Sequence, residues 1–220
     1  MLSPQISGFL KEFRPGTHAV LFYDSLGTKH DFLFSYLKFG VEDQGLVYVC
    51  SEETPSKIRE EMKKFGLDSD ELTRRNRLMI RNYDAVYLVQ GQVSIPDIVG
   101  SFSRLARTYT SVGLSGLRAV AEMSCFFKHR MVDELLKYEY ALNRTFDFPA
   151  EGICGYNILE ASQSGHLSTL IQLARSHSTV IIAGPKENII LEPEDFADEQ
   201  LGVALGARAP LSTERTRIYP

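Results

Sequence analysis

The residues from Ala19 to Lys29, Ala-Val-Leu-Phe-Tyr-Asp-Ser-Leu-Gly-Thr-Lys, follow the order of a phosphate-binding loop: an apolar run, a short polar stretch with glycine and lysine, then an amphipathic stretch. A working loop of that kind needs a first glycine, four residues and then Gly-Lys-Ser/Thr, so that backbone N–H groups wrap the phosphates and a hydroxyl meets magnesium. Here Tyr23 or Asp24 stands near the place of the first glycine, Thr28 separates Gly27 from Lys29, and His30-Asp31 follow the lysine. Asp24 would also repel phosphate. The loop is expected to keep its geometry and to have changed its ligand, with Lys29 either a relic or still in reach of that ligand.

In an open parallel α/β sheet, ligands sit at the carboxyl ends of the strands. The residues expected there are acidic, aromatic and sulfur-bearing, and poor in glycine and cations. They suit a small, partly apolar ligand better than a polyphosphate. The ligand-binding candidates are Tyr23, Asp24, Lys29, Glu52, Arg118, Glu122, Ser124 and Tyr156, around an apolar centre of Met123, Cys125 and the tyrosine rings.

Several of these residues admit two readings. Glu122 closes an apolar run, where an acid could hold magnesium or activate water; alternatively it pairs with Arg118 or Lys128. Arg118 lies within a strand pattern and must be paired if buried, with Glu139 or Glu122 as partner. Glu52-Glu53 could meet a cation or a ribose, or simply favour the positive end of the helix that starts at Thr54-Pro55. Tyr138 and Tyr140 cannot share a helix face, so at most one of them lines a pocket.

Cys50, Cys125 and Cys154 show no CxxC spacing and read as small buried hydrophobes. His18, His30, His129, His166 and His177 are scattered, without HxxxH or HxH spacing. His18 precedes the first strand and His177 the last apolar one, which sets both at the edge away from the candidate site. Neither a metal nor a cofactor is expected. With no GxSxG elbow and no Cys/His nucleophile signature, an enzyme is not expected either.

The elements that would position these residues alternate between short β-rich runs and longer helical-period stretches. That pattern predicts an α/β fold: a three-layer, mostly parallel sheet with helices on both faces, in a single domain. Strands are expected at 19–23, 46–50, 78–81, 117–123, 152–156 and 179–183, and helices at 29–40, 55–65, 95–111, 127–146 and 165–174. Residues 187–196 suggest an edge strand and a short turn. Residues 1–17 read as an N-terminal extension, 18–199 as the domain, and 200–220 as a loose tail.

The chain of 220 residues is long enough to bury a sizeable core, and its net charge of −4 gives no electrostatic case for nucleic acid or an anionic membrane. No apolar run has the length of a membrane span and no signal-peptide core opens the chain. Cysteine usage fits a reduced, cytoplasmic setting.

From His18 to about Phe196 the chain resembles the MEDS domain, the methanogen/methylotroph sensory domain of prokaryotic signalling proteins. The matching pieces begin with His18, Phe22-Tyr23, Tyr36-Leu37 with Gly40, Val47-Tyr48-Val49, and Leu78 leading to Tyr83 and Tyr87. Gly113-Leu114-Ser115-Gly116-Leu117-Arg118 then runs into Glu122-Met123-Ser124, followed by Tyr138-Glu139, Leu142-Asn143, Cys154-Gly155-Tyr156 and His177. The family pattern usually places an aromatic residue after the Glu-Met-Ser stretch; here Cys125 takes that place and Phe126 follows. The resemblance implies a RecA/KaiC-like fold with a degenerate P-loop and non-catalytic sensing of small hydrocarbon derivatives. Family members usually carry an attached DNA-binding or kinase domain. No helix-turn-helix with a basic face is legible before residue 18 or after residue 196. Signal transduction is therefore expected through a partner protein or through self-association as a homo-oligomer. A residual nucleotide-binding protein and a ligand-free oligomeric interaction module are the alternatives.

Overall fold

The computed structural model describes residues 2–145, 147–184, 188–195 and 217–219. The chain opens with α1 (Pro4–Lys11), β1 (His18–Tyr23), α2 (Leu26–Phe39), β2 (Gln44–Cys50), α3 (Pro55–Lys64), α4 (Ser69–Arg74) and β3 (Leu78–Asn82). Next come α5 (Asp84–Tyr87), a small ribbon of β4 (Leu88–Val89) and β5 (Gln92–Val93), α6 (Ile95–Ser111), β6 (Gly116–Glu122), α7 (Cys125–Lys128) and α8 (Val132–Thr145). It continues through β7 (Ala150–Asn157), α9 (Ile158–Gln163), α10 (Thr169–Arg175), β8 (Thr179–Ala183), β9 (Asn188–Leu191) and β10 (Arg217–Tyr219).

The main sheet has eight strands in the order β10-β9-β8-β1-β7-β6-β2-β3. From β8 to β3 all neighbours are parallel, while β9 and β10 close one edge antiparallel. Burial along β1 and β2 is complete on both faces, as a sheet covered by helices requires. Alternate residues therefore feed two apolar layers. Ala19, Leu21, Tyr23, Tyr48 and Val120 face α1, α2 and α3, whereas Val20, Phe22, Ala121, Cys154 and Tyr156 face α6, α8 and α10. The three-layer, mostly parallel architecture read from the sequence is the one observed.

The differences lie at element ends and in the segments of weak periodicity. The first helix of the domain starts at Leu26 rather than at residue 29, because Ser25 caps it through Thr28 N. The expected helix over 127–146 is broken at Arg130, whose φ of +57° no helix accommodates. Residues 1–17 are more than an extension: α1, capped by Ser3, buries Ile6 and Leu10 completely against the α2 layer. Burial of this kind contributes about 1.5–3 kcal/mol per side chain before entropy losses. Residues 217–219, read as part of a loose tail, pair with β9 instead; residues 200–216 lie outside the described segments. Gly45 permits one close approach on which the α6 layer depends, since a Cβ there would meet the Tyr109 ring at 2.1 Å.

Candidate functional site

β1 ends at Tyr23 and α2 begins at Leu26, so Asp24 and Ser25 alone connect them. A phosphate cradle needs a longer loop of free N–H groups. Here part of the first turn of α2 is taken up by its cap, with Thr28 N bonded to Ser25 Oγ and Lys29 N to the Ser25 carbonyl. Gly27 is helical, with open space around it, and performs none of the duties of a loop glycine.

Lys29 points back over the carboxyl edge of the sheet and is fully buried. Its Nζ donates to Glu122 Oε1 at 2.6 Å and to Glu53 Oε2 at 3.0 Å, with Glu52 4.0 Å away. Glu122 also accepts from the Tyr48 hydroxyl at 2.7 Å and from the backbone N–H groups of Ser51 and Glu52 at 2.6 and 2.7 Å. The buried carboxylate thus takes the donors, lysine and paired backbone amides, that would otherwise meet an anionic ligand. Burial alone would lower the Lys29 pKa, but Glu122 and Glu52 outweigh it and raise it, so the ammonium stays charged.

Around this pair, Tyr23 donates to Glu52, His30 contacts Glu53 at 2.6 Å, and Asn157 Nδ2 donates to Glu52 at 3.3 Å. Ser124 Oγ accepts from Asn157 N at 3.0 Å, and Thr28 donates to Asp24 at 3.4 Å. Tyr23, Lys29, Glu52, Glu122 and Ser124 are therefore brought together, as the sequence suggests, while Asp24 is bonded to Thr28 in the turn beside them. The Glu122 partner is Lys29, not Arg118 or Lys128. Glu52 and Glu53 bind side chains of α2 and of the strand ends, besides preceding α3.

Two sequence candidates fall elsewhere. Arg118 shares the face of Glu122 but lies four residues earlier on β6, about 13 Å along the strand. It stacks on the Tyr36 ring, donates to the Tyr36 carbonyl at 2.8 Å and pairs with Glu151 rather than with Glu139 or Glu122. Tyr156 points to the opposite face, where its hydroxyl donates to Glu139. Burial pushes the Cys50 and Cys125 thiols up to about 12, so neither is poised as a thiolate nucleophile.

That opposite face holds what the sequence did not anticipate. Between β6, β7 and the helices α6 and α8 lies a cavity of about 30 Å³, bordered by Phe102, Ala119, Ala121, Tyr138, Gly152 and Cys154. Of the two tyrosines on α8, Tyr138 is the inward one and Tyr140 is exposed. The cavity also touches His18. Beside it, His18, Glu139, Cys154 and His177 are all buried, and their potential ligand atoms lie within 4.8 Å of one another. Sequence reasoning set the two histidines aside because they precede strands. The available signal was their common position: β1 and β8 are parallel neighbours, so His18 at the start of β1 and His177 just before β8 reach the same edge. Their rings are 4.1 Å apart.

Comparison with known proteins follows these outlines. The family model for the MEthanogen/methylotroph, DcmR Sensory domain (MEDS) matches residues 17–178. Among solved structures, a KaiC-like protein from the hyperthermophilic archaeon Pyrococcus horikoshii OT3 superposes with a TM-score of 0.55 at 16% identity, covering 82% of this chain and 79% of that one. At that identity the likeness concerns the fold alone. No curated protein matches the chain significantly.

Proposed function

The chain belongs to the MEDS family of sensory domains, and on that premise we propose that it is a non-catalytic sensor of a small, mostly apolar organic molecule held in the cavity between β6, β7, α6 and α8. The observation that carries this reading is the cavity itself, about 30 Å³ and bordered almost entirely by apolar groups. Space of that order holds roughly two or three heavy atoms, since a water needs about 10–15 Å³ by the same measure, and an apolar lining leaves it poorly solvated without a ligand. The opposite layer supports the same reading from the other side. The two-residue connection at Asp24-Ser25 and the Lys29–Glu122 pair leave no cradle for a triphosphate at the carboxyl edge.

The carboxyl-edge residues Tyr23, Asp24, Lys29, Glu52, Glu122 and Ser124 then form a rigid polar lock above β1, β2 and β6 rather than a catalytic centre. Asp24 and the rims of Glu52 and Glu53 are the parts of it that reach solvent. A signalling partner, or a second copy of the chain, would read the state of the domain. A second reading keeps this edge as a nucleotide site, because Lys29 occupies the position expected of a phosphate-binding lysine. It requires Lys29 to leave Glu122.

Thermal unfolding with a panel of short alcohols, ketones, amines and haloalkanes, beside magnesium-ATP and magnesium-ADP, separates the readings. A ligand present at a hundred times its Kd stabilises by about 2.7 kcal/mol, a shift of roughly 5–10 °C for a chain of this size. Shifts from the nucleotides and none from the organic panel would overturn the proposal.

A further inference from the structure

We propose that His18, Glu139, Cys154 and His177 form a closed four-coordinate site for a divalent transition metal of the zinc type. The inference stands whether or not the neighbouring cavity takes an organic ligand.

The distances carry it first. A tetrahedral ion with nitrogen and oxygen ligands at about 2.0–2.1 Å and sulfur at about 2.3 Å sets those ligand atoms roughly 3.3–3.7 Å apart. His18 Nε2 is 3.3 Å from Glu139 Oε2 and 3.4 Å from Cys154 Sγ, and Glu139 Oε2 is 3.5 Å from His177 Nε2 and 3.7 Å from Cys154 Sγ. Four edges of the tetrahedron thus have the required length. The two remaining pairs lie within 4.8 Å.

The outer partners carry it next. His177 Nδ1 lies 2.6 Å from the Leu173 carbonyl, which can only accept, so the proton is on Nδ1 and the Nε2 lone pair turns inward. Nε2 has no hydrogen-bond donor, and the atom it meets, Glu139 Oε2, is another acceptor. Two buried acceptors 3.5 Å apart repel each other unless a cation lies between them. Glu139 is oriented in the matching way: Tyr156 donates to Oε1 and leaves Oε2 to the cluster. A carbonyl behind a histidine and a hydroxyl behind a carboxylate are the outer partners that orient metal ligands.

Charge and donor softness agree. One thiolate and one carboxylate neutralise a dication, and the two imidazoles add no charge. Imidazole with thiolate selects zinc over magnesium or calcium. A thiol binds a metal as the thiolate, so binding releases the Cys154 proton to solvent, one per ion. The ion would tie β1, β7, α8 and the α10–β8 turn to one point.

Because all four ligands are buried, the chain is refolded from denaturant after chelation, with one equivalent of Zn²⁺ or Co²⁺, and analysed by native mass spectrometry and absorption spectroscopy. The expected result is one tightly held ion per chain, a Co²⁺ spectrum with four-coordinate ligand-field bands and a thiolate charge-transfer band, and a higher melting temperature than the chelated protein. Cys154→Ser removes the charge-transfer band, and His177→Ala weakens zinc binding by about a hundred-fold or more. Should either variant fail to fold, the wild-type cobalt spectrum decides. Wild-type protein that retains no ion, that gives a six-coordinate cobalt spectrum without the thiolate band, or that a folded Cys154→Ser variant matches in zinc affinity, overturns the proposal. Organic-ligand shifts measured on the same chelated protein keep its failure separate from that of the sensory reading.

Discussion

Lys29 Nζ and Glu122 Oε1 meet at 2.6 Å, both side chains wholly withdrawn from solvent, at the carboxyl edge of β1 and β6. A buried ion pair is weak support for stability as a whole, but either partner left alone is an uncompensated charge. Lys29→Met and Glu122→Gln are each expected to destabilise the chain by about 3–5 kcal/mol in urea unfolding, and the double variant by clearly less than the sum. Additive costs would mean that the two groups do not act on each other.

Glu53 gives a pH dependence of known sign. Burial opposes its ionisation, but hydrogen bonds and charge from Lys29 and His30 outweigh this and hold its pKa below the ordinary glutamate value. A depressed folded pKa contributes stability that is present above the unfolded value and lost as pH falls through the folded one. The stability gap between wild type and Glu53→Gln is therefore expected to be open near about pH 6 and to shrink toward about pH 3. A gap that widens on acidification would contradict the pairing.

Arg118 separates packing from sensing. Its removal leaves Glu151 buried without its cation, so Arg118→Met is expected to cost about 3–5 kcal/mol in unfolding. The proposed cavity lies on the other face of the sheet. Ligand-induced stabilisation should therefore keep its wild-type size, read as the change in melting temperature of the variant with and without ligand. Loss of that response in a folded Arg118→Met protein would return Arg118 to the binding site.

Gly152 tests the cavity with a single methyl group. A Cβ there would meet the Ala119 carbonyl oxygen at 3.4 Å and the Ala119 methyl at 4.0 Å, ordinary contacts, on the side of the sheet that borders the cavity. Restricting the unfolded chain favours Gly152→Ala by about 0.4–1 kcal/mol. The variant is expected to melt at or slightly above the wild-type temperature and to respond less to the organic ligand. A full ligand response would place the ligand elsewhere.

The architecture was legible because strand and helix periods are local. β1, β2, β3, β6, β7 and β8 all lie where apolar β-rich runs fall. The damaged loop was legible too, since missing glycines are a property of the string. Its remedy was not. Lys29 and Glu122 are 93 residues apart, and only the parallel order of β1, β7, β6 and β2 brings them together. The same holds on the other face, where Glu139 comes from a helix and meets histidines 121 positions before it and 38 after it. Pairing across a sheet depends on strand order, which composition and spacing do not encode. The short α1, α4, α5 and α9 escaped for a different reason. Each is too brief to show a period, and tertiary packing rather than propensity holds it.

A domain that senses a small apolar molecule in place of a nucleotide must bind the first and ignore the second. Titration calorimetry of the wild-type chain against the most stabilising member of the organic panel, repeated with Gly152→Ala and with magnesium-ATP, tests it most directly. The expected result is saturable one-to-one binding of the organic ligand with a negative heat-capacity change, weaker binding to Gly152→Ala, and no heat from magnesium-ATP. Saturable magnesium-ATP binding that Lys29→Met abolishes, with no organic ligand bound, would contradict it.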